Sequence, residues 1–169
     1  TGRIFWPSFP NIADWRSEGG HIFERVGAVD VPEPEPVLWD GQAQRLTVGG
    51  YARGTLEMLR VRPALGRSFT DEENAPGGAP VAVVSWQMWQ SRLDARPLEE
   101  LSLTIGAEQY QVVGVLPSDF RFFGEGGEWT IGDVFLPMER NELGGRQSHG
   151  YHTVARLRAG ITHEMAQPM

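Results

Sequence analysis

Short apolar runs separated by glycine, proline and polar residues dominate the chain, and this pattern predicts many short strands. Residues 81–84 are apolar at every position, which is typical of a strand buried on both faces. Residues 23–31 mix Val, Ala and Phe with polar side chains and also predict a strand. Two later strands are predicted at residues 134–136 and 152–157.

Turn residues join some of these runs into hairpins. Two hairpins are predicted, with turns at Asp40-Gly41 and Gly106-Ala107 and strands at residues 37–39, 44–51, 101–105 and 110–116. Residues 32–36 carry proline at alternate positions, with glutamate between them. Because proline cannot donate to a strand ladder, this segment predicts a stiff, exposed acidic turn rather than a central strand.

The predicted helices are few and short. Ser85 can cap a helix that carries Trp86, Trp89 and Leu93 on one side. Thr70 followed by Glu73 matches a capping box, in which a hydroxyl and a carboxylate satisfy free backbone N–H groups. Further helices are predicted at residues 8–16 and 54–59, and another is predicted to begin at Thr162.

Together these elements predict an α+β fold, with short mixed strands and helices packed on one side. The chain has 169 residues, which suits a single domain or two small lobes spanning residues 1–169. A chain of this size buries about 70% of its unfolded surface, enough for a sizeable core. No apolar run approaches the roughly 18 residues of a membrane-spanning helix, so the sequence predicts no membrane span.

Composition removes several classes of chemistry. All 15 basic residues are Arg, so lysine nucleophiles and the phosphate-binding lysine of a P-loop are excluded. The chain has no Cys, which excludes disulfides, thiol nucleophiles and cysteine zinc sites. A net charge of −7 argues against nucleic acid as a partner. We expect the Arg cluster at residues 60, 62 and 67 to be balanced locally by the acids at 71–73.

The remaining candidate sites have simpler structural explanations. His149 and His152 are three residues apart, but a loop entering a strand would point them to opposite faces, so we expect hydrogen bonding rather than metal binding. The acids at 71–73 lack the alternation of a calcium loop and favourably oppose a helix dipole. Ser85 has bulky neighbours where a nucleophile elbow needs glycines. No catalytic residue, metal or cofactor is therefore predicted.

A partner surface is the one functional site that the residues suggest. Trp39 and Trp129 lie next to predicted turns, where an indole can be exposed for binding. Glu125 and Glu128 belong to the Gly-rich acidic segment 124–133, which we expect to be a loop that faces a partner.

Two stretches about 40 residues apart resemble a known family when they are read in order. The residues that carry the resemblance are Leu59, Arg62, Pro63, Leu65, Gly66, Arg67, Phe69, Glu72, Glu73, residues 77–81, Val83, Ser85, Trp89, residues 113–115, Pro117 and Phe120. This set is similar to the MacB-like periplasmic core domain of FtsX-type ABC transporter permeases. The resemblance covers roughly residues 8–166, and its end is carried by residues 152–162.

The resemblance implies a non-catalytic domain outside the membrane, built as a porter-type lobe with an inserted, more β-rich lobe. It implies that ATP-driven motion is relayed through flanking membrane helices from a cytoplasmic ATPase to substrate export or release. A second permease copy or duplicated half and a periplasmic adaptor are the further implied partners. Relatives carry a longer C-terminal helix and a returning strand, so we expect this chain to be clipped. Residues 1–6 and those after Thr162 should lie at one end, with residues 32–36 and 123–133 at the other.

Two other functions remain open from the sequence. The domain can be a free-standing or orphan-permease module that binds or senses a ligand, which an exposed groove near Trp39 or Trp129 would favour. An acid-dependent hydrolase is the third possibility and requires two carboxylates, or a histidine and a carboxylate, that converge in a pocket.

Overall fold

Nine strands form a single connected sheet in the computed structural model, which describes residues 14–30, 32–121, 132–140 and 151–162. The strands are β1 Phe23–Asp30, β2 Glu33–Trp39, β3 Gln42–Tyr51, β4 Leu65–Gly66, β5 Val81–Val84, β6 Ser102–Ile105, β7 Glu108–Val115, β8 Val134–Pro137 and β9 Tyr151–Leu157. The helices are α1 Thr55–Leu59, α2 Asp71–Asn74 and α3 Trp86–Ser91, with 3-10 turns at Gly19–His21 and Leu98–Glu100. Residues 14–17 form one further helical turn. The predicted α+β class is confirmed.

Six of the strands close into a ring. The hydrogen-bonded order is β2-β6-β7-β5-β8-β3, and β3 also pairs with β2, so each of the six has a partner on both sides. The β3–β8 and β5–β7 pairs are parallel, and the other pairs of the ring are antiparallel. The strands β1 and β9 lie side by side outside the ring, and β1 joins it through the pairing of Val29 with Tyr51. In the order of the sequence, the six strands of the ring therefore lie between β1 and β9, which are neighbours in the sheet.

One core fills the inside of the ring, since every strand of the ring contributes an apolar side chain to it. Its strand members include Val37, Leu46, Ala82, Val84, Leu103, Val112 and Val134. Met88 and Leu93, from α3 and the residues after it, are almost fully buried in the same core. A second core on the outer face joins Tyr51 and Phe69, whose rings stack 4.7 Å apart, to Val83 and Leu56. The strand β5 lies between the two cores, which confirms that it is buried on both faces.

Local turn and cap signals act as the sequence predicts. Asp40 and Gly41 both adopt positive φ, 49° and 74°, and join β2 to β3 in a tight hairpin. The Thr70 hydroxyl accepts the N–H of Glu73, and the Glu73 carboxylate accepts the N–H of Thr70, which completes the capping box. The Ser85 hydroxyl accepts the N–H of Met88 at 3.1 Å and caps α3.

The prediction of an acidic turn at residues 32–36 is wrong, because residues 33–36 belong to β2. They pair continuously with β3, from Glu33 opposite Val48 to Trp39 opposite Gln42. On its other side β2 meets β6 only at Val37 and Leu38. Alternate residues of a strand direct their backbone nitrogens toward the same neighbouring strand. The nitrogens of Pro34 and Pro36 can therefore both face the side of β2 that no described strand covers. Proline is therefore tolerated here without breaking the ladder.

Candidate interaction surfaces

The most basic concave surface lies between two loops, and we call it the basic groove. It has a volume of about 630 Å³ and is lined by Leu59, Arg60, Val61, Arg62, Pro117, Asp119, Phe120 and Arg121. Four of these side chains are apolar, three are guanidinium groups and one is a carboxylate. The surface therefore combines an apolar floor with an excess of positive charge, although the whole chain is acidic.

Both walls of the basic groove are fixed by backbone hydrogen bonds. The helix α1 ends at Arg60, which adopts the left-handed φ of 57° and donates its N–H to the carbonyls of Glu57 and Leu56. Val61 then donates to the Leu56 carbonyl at 2.9 Å. On the other wall, a turn after β7 is closed by the Phe120 N–H and the Pro117 carbonyl at 3.0 Å. The backbone from which the arginine side chains extend is thus held in a defined loop geometry.

The predicted local charge balance holds for one arginine of the cluster. Arg67 binds both oxygens of Glu73 at 2.8 Å, and this contact holds the pKa of the Glu73 carboxyl below its ordinary value. Within the described residues, no ion pair involves Arg60 or Arg62, and both are exposed. Arg121 donates to two backbone carbonyls, those of Ser118 and Phe120. The basic groove therefore keeps most of its positive charge uncompensated.

An acidic groove of about 470 Å³ lies across β2, β3 and β8. Asp30, Glu33 and Glu35 provide its carboxylates, and its apolar lining includes Val48 and Leu136. Arg140 borders this region, where it binds the Glu108 carboxylate and lowers its pKa, and it lies 5.8 Å from the Tyr110 ring centre. A third, more apolar groove of about 740 Å³ runs past Leu65, Trp89, Pro97, Leu98 and Val113.

The structure corrects one predicted partner-surface residue. Trp39 is only 8% exposed because its side chain packs in the core inside the ring, so the predicted exposure of this indole is wrong. Trp129, Glu125 and Glu128 lie outside the described residues. Sequence reasoning missed the basic groove, because Arg60 and Arg62 were expected to be neutralised and Phe120 was noted only as a motif residue.

Candidate catalytic groups in the described part of the chain have structural partners. Ser85 serves as a helix cap, and Tyr51 lies 3.0 Å from the Ser68 hydroxyl, in a buried site that raises the pKa of the phenol. The described residues contain no group of three or more His, Asp or Glu side chains able to hold a metal ion. His149 and His163 lie outside these residues. Nor does any described helix combine the length and apolar character needed to cross a membrane.

The fold is similar to those of three solved domains. The extracellular domain of the noncanonical ABC-type transporter YknZ from Gram-positive bacteria matches with a TM-score of 0.64 and 17% identity, over 90% of this chain and 74% of that one. The periplasmic region of MacB from Actinobacillus actinomycetemcomitans matches with a TM-score of 0.66 and 11% identity, over 93% and 69%. A domain of a putative permease protein from Porphyromonas gingivalis matches with a TM-score of 0.57 and 15% identity, over 84% and 59%.

The sequence comparisons give one family. None of the curated proteins matches the sequence of this chain. The family model described as the MacB-like periplasmic core domain matches residues 5–168, which is nearly the whole chain. This chain therefore belongs to the MacB-like periplasmic core domain family.

Proposed function

We propose that this chain is the extracytoplasmic domain of an ABC transporter permease, and that it relays ATP-driven motion to substrate export or release outside the membrane. Membership of the MacB-like family supports the transporter setting. In this role the domain has no catalytic site of its own. Its partners are a second permease copy or duplicated half, and a cytoplasmic ATPase that acts through flanking membrane helices. A periplasmic adaptor is a further partner in this proposal.

One structural observation carries the relay role: the outer ends of β1 and β9 lie together. Phe23, the first residue of β1, pairs with Leu157, the last residue of β9. Just beyond them, Arg158 donates its N–H to the Ile22 carbonyl at 2.9 Å. The strand β1 thus begins, and the strand β9 ends, at one edge of the sheet. A displacement applied at this edge moves both strands together.

The connection from that edge to the ring is built to transmit a displacement. The Thr55 hydroxyl, at the start of α1, donates to the Ala52 carbonyl at 2.7 Å and lies 3.2 Å from the Ala28 carbonyl. Ala52 also donates its N–H to the Ala28 carbonyl at 2.8 Å, directly after β3. Close-packed elements joined by backbone hydrogen bonds move as one body rather than deform continuously. These hydrogen bonds, together with the pairing of Val29 with Tyr51, support a coupling of β1 to the ring.

The proposal is tested by measuring whether the domain moves when ATP is bound or hydrolysed. Because these 169 residues contain no Cys, a Ser91→Cys variant places one spin label in each copy of the domain, on the exposed end of α3, once the cysteines of the rest of the permease are replaced. In the full-length permease with its ATPase, we expect the label-to-label distance between two copies to change on addition of ATP. A distance distribution that is identical with and without ATP would contradict the relay.

A second candidate is a module that binds or senses a ligand without ATP-driven movement. The three open grooves favour it, since each offers apolar contacts beside charged groups. The burial of Trp39 removes one of the two indoles on which a binding groove was predicted. In the spin-label experiment, this alternative predicts a distance that responds to a ligand and not to ATP.

A further inference from the structure

The basic groove begins beside the end of α1 that is tied to the outer part of β9. Along α1, Thr55 contacts Ala28 and Gly27 of β1, and Met58 also lies against Gly27. The Met58 carbonyl accepts a hydrogen bond at 2.6 Å from Arg156 of β9, which pairs with Arg25 of β1. The C-terminal end of α1 is therefore held by the outer half of β9. The basic groove begins with the next residue of the chain, Leu59.

The surroundings of the basic groove are also rich in arginine. Arg25 is exposed beside α1, and the backbone carbonyls of Met58 and Gly20 hold the guanidinium groups of Arg156 and Arg158. Backbone carbonyls carry no net charge, so these contacts orient the guanidinium groups without neutralising them. Asp119 is the single carboxylate among the eight residues that line the groove. Arg25 shares a neighbouring groove with Glu57 and Asp71, so the arginines of this region outnumber its carboxylates but are partly balanced by them.

We propose that the basic groove rests against the anionic phospholipid headgroups of the membrane that tethers the domain. The inference rests on the proposed function, because it is the transporter setting that puts the membrane at the end where β1 begins and β9 ends. Guanidinium groups recognise phosphate through two parallel N–H donors. Phe120 and Val61 provide the apolar side chains that favour the headgroup region over water.

The shape of the basic groove favours a surface over an enclosed small molecule. Sites for small molecules bury most of the ligand, whereas this groove is open along its length between two loops. Arg60 and Arg62 are exposed on one wall, and Arg121 follows Phe120 on the other. Charged side chains on both walls can therefore meet a flat anionic surface at the same time. Each basic residue held near such a surface contributes about 1 kcal/mol to binding.

The test compares two double variants that remove the same charge. The Arg60→Gln/Arg62→Gln variant removes two positive charges from the basic groove, and Arg45→Gln/Arg92→Gln removes two exposed positive charges that do not line it. Co-sedimentation with vesicles of phosphatidylglycerol and of phosphatidylcholine measures binding at low ionic strength. Equal thermal unfolding midpoints establish that each variant is folded.

We expect the unmodified chain to bind phosphatidylglycerol vesicles and not phosphatidylcholine vesicles. The groove variant should bind roughly thirtyfold more weakly, as two arginines near an anionic surface predict, and the control variant less than about threefold more weakly. Equal weakening in both variants would show that net charge alone is responsible, and would overturn the proposal. So would binding of soluble poly-glutamate with no vesicle binding, because the occupant would then be an acidic protein segment. Either failure would leave the ATP-dependent distance between Ser91→Cys labels unaffected, so it is distinguishable from failure of the relay.

Discussion

Arg67 and Glu73 form a two-point ion pair, with both nitrogen–oxygen distances at 2.8 Å. The same carboxylate accepts the N–H of Thr70 and completes the cap of α2. Arg67 directly follows β4, which pairs with the C-terminal end of β7. The ion pair therefore joins β4 to the start of α2. These residues lie in the stretch that carries the family resemblance, and this contact gives their spacing a structural reason.

The ion pair predicts a pH-dependent stability. Because the folded-state pKa of Glu73 is lowered, chiefly by its hydrogen bonds from Arg67, the stabilisation is present above the ordinary carboxyl pKa of about 4.3 and is lost as pH falls through the folded value. The Glu73→Gln variant should lose roughly 1 kcal/mol in its free energy of unfolding at neutral pH and less at about pH 3. Urea denaturation at both pH values measures this difference.

Glu72→Gln is the matched control, since Glu72 is exposed on the same helix and no ion pair in the described part of the chain involves it. Its free energy of unfolding should change by less than about 0.5 kcal/mol at either pH. An equal loss in both variants would mean that general charge, and not the contact with Arg67, produces the effect.

A glycine in β7 is required by a close backbone approach. A Cβ on Gly114 would lie 2.1 Å from the Arg67 carbonyl oxygen, and one on Gly66, its pairing partner in β4, would lie 2.1 Å from the Val113 carbonyl oxygen. Gly114→Ala should therefore cost roughly 2 kcal/mol or more in the free energy of unfolding, because backbone must move to admit the methyl group. Gly20→Ala, where a Cβ meets no atom within 4 Å, should change it by less than about 0.5 kcal/mol. Similar thermal shifts for the two variants would contradict the close packing of β4 on β7.

The residues of α3 and its C-terminal end differ in their contributions to the core. Leu93 is 1% exposed inside the ring, so Leu93→Ala should cost about 2–5 kcal/mol in the free energy of unfolding. Trp89, which the sequence places on the same side of the helix, is only partly buried. Its ring lies 5.1 Å from that of Trp86, and its indole N–H donates to the Arg96 carbonyl at 3.0 Å. Trp89→Ala should therefore cost less than the roughly 3–5 kcal/mol of a fully buried aromatic. Gln90→Ala, on the exposed side, serves as the control, and a loss at Gln90 equal to that at Leu93 would mean that α3 packs by another face.

The features that depend on local chemistry could be predicted from the sequence. The Asp40-Gly41 turn, the Thr70 capping box and the Ser85 cap each involve residues within a few positions of one another, and the structure has all three. The apolar strand β5 was recognisable because no side chain in it can face water.

Features that depend on distant pairing could not be predicted in this way. Ring closure requires the parallel β3–β8 and β5–β7 pairs, which nothing in a single strand specifies. Proline-rich β2 was misread because its free edge at residues 33–36 exists only because β6 ends at Ile105, opposite Val37. Trp39 was placed at the surface because it precedes a turn, yet strand alternation directs it inward beside Val37.

The central claim, that the domain relays motion through the edge shared by β1 and β9, is tested most directly by a flexible insertion. A flexible insertion on both sides of the domain, with one Gly-Ser linker after Gly20, just before β1, and one after Gly160, just beyond β9, would absorb a displacement before it reached the domain. The same linker inserted at the Gly106-Ala107 turn, between β6 and β7, is the control. In the full-length permease with its ATPase, we expect the two flanking linkers to abolish the ATP-dependent change in distance between Ser91→Cys labels while ATP hydrolysis continues, and the control to preserve it. An undiminished distance change with both flanking linkers in place would contradict the relay.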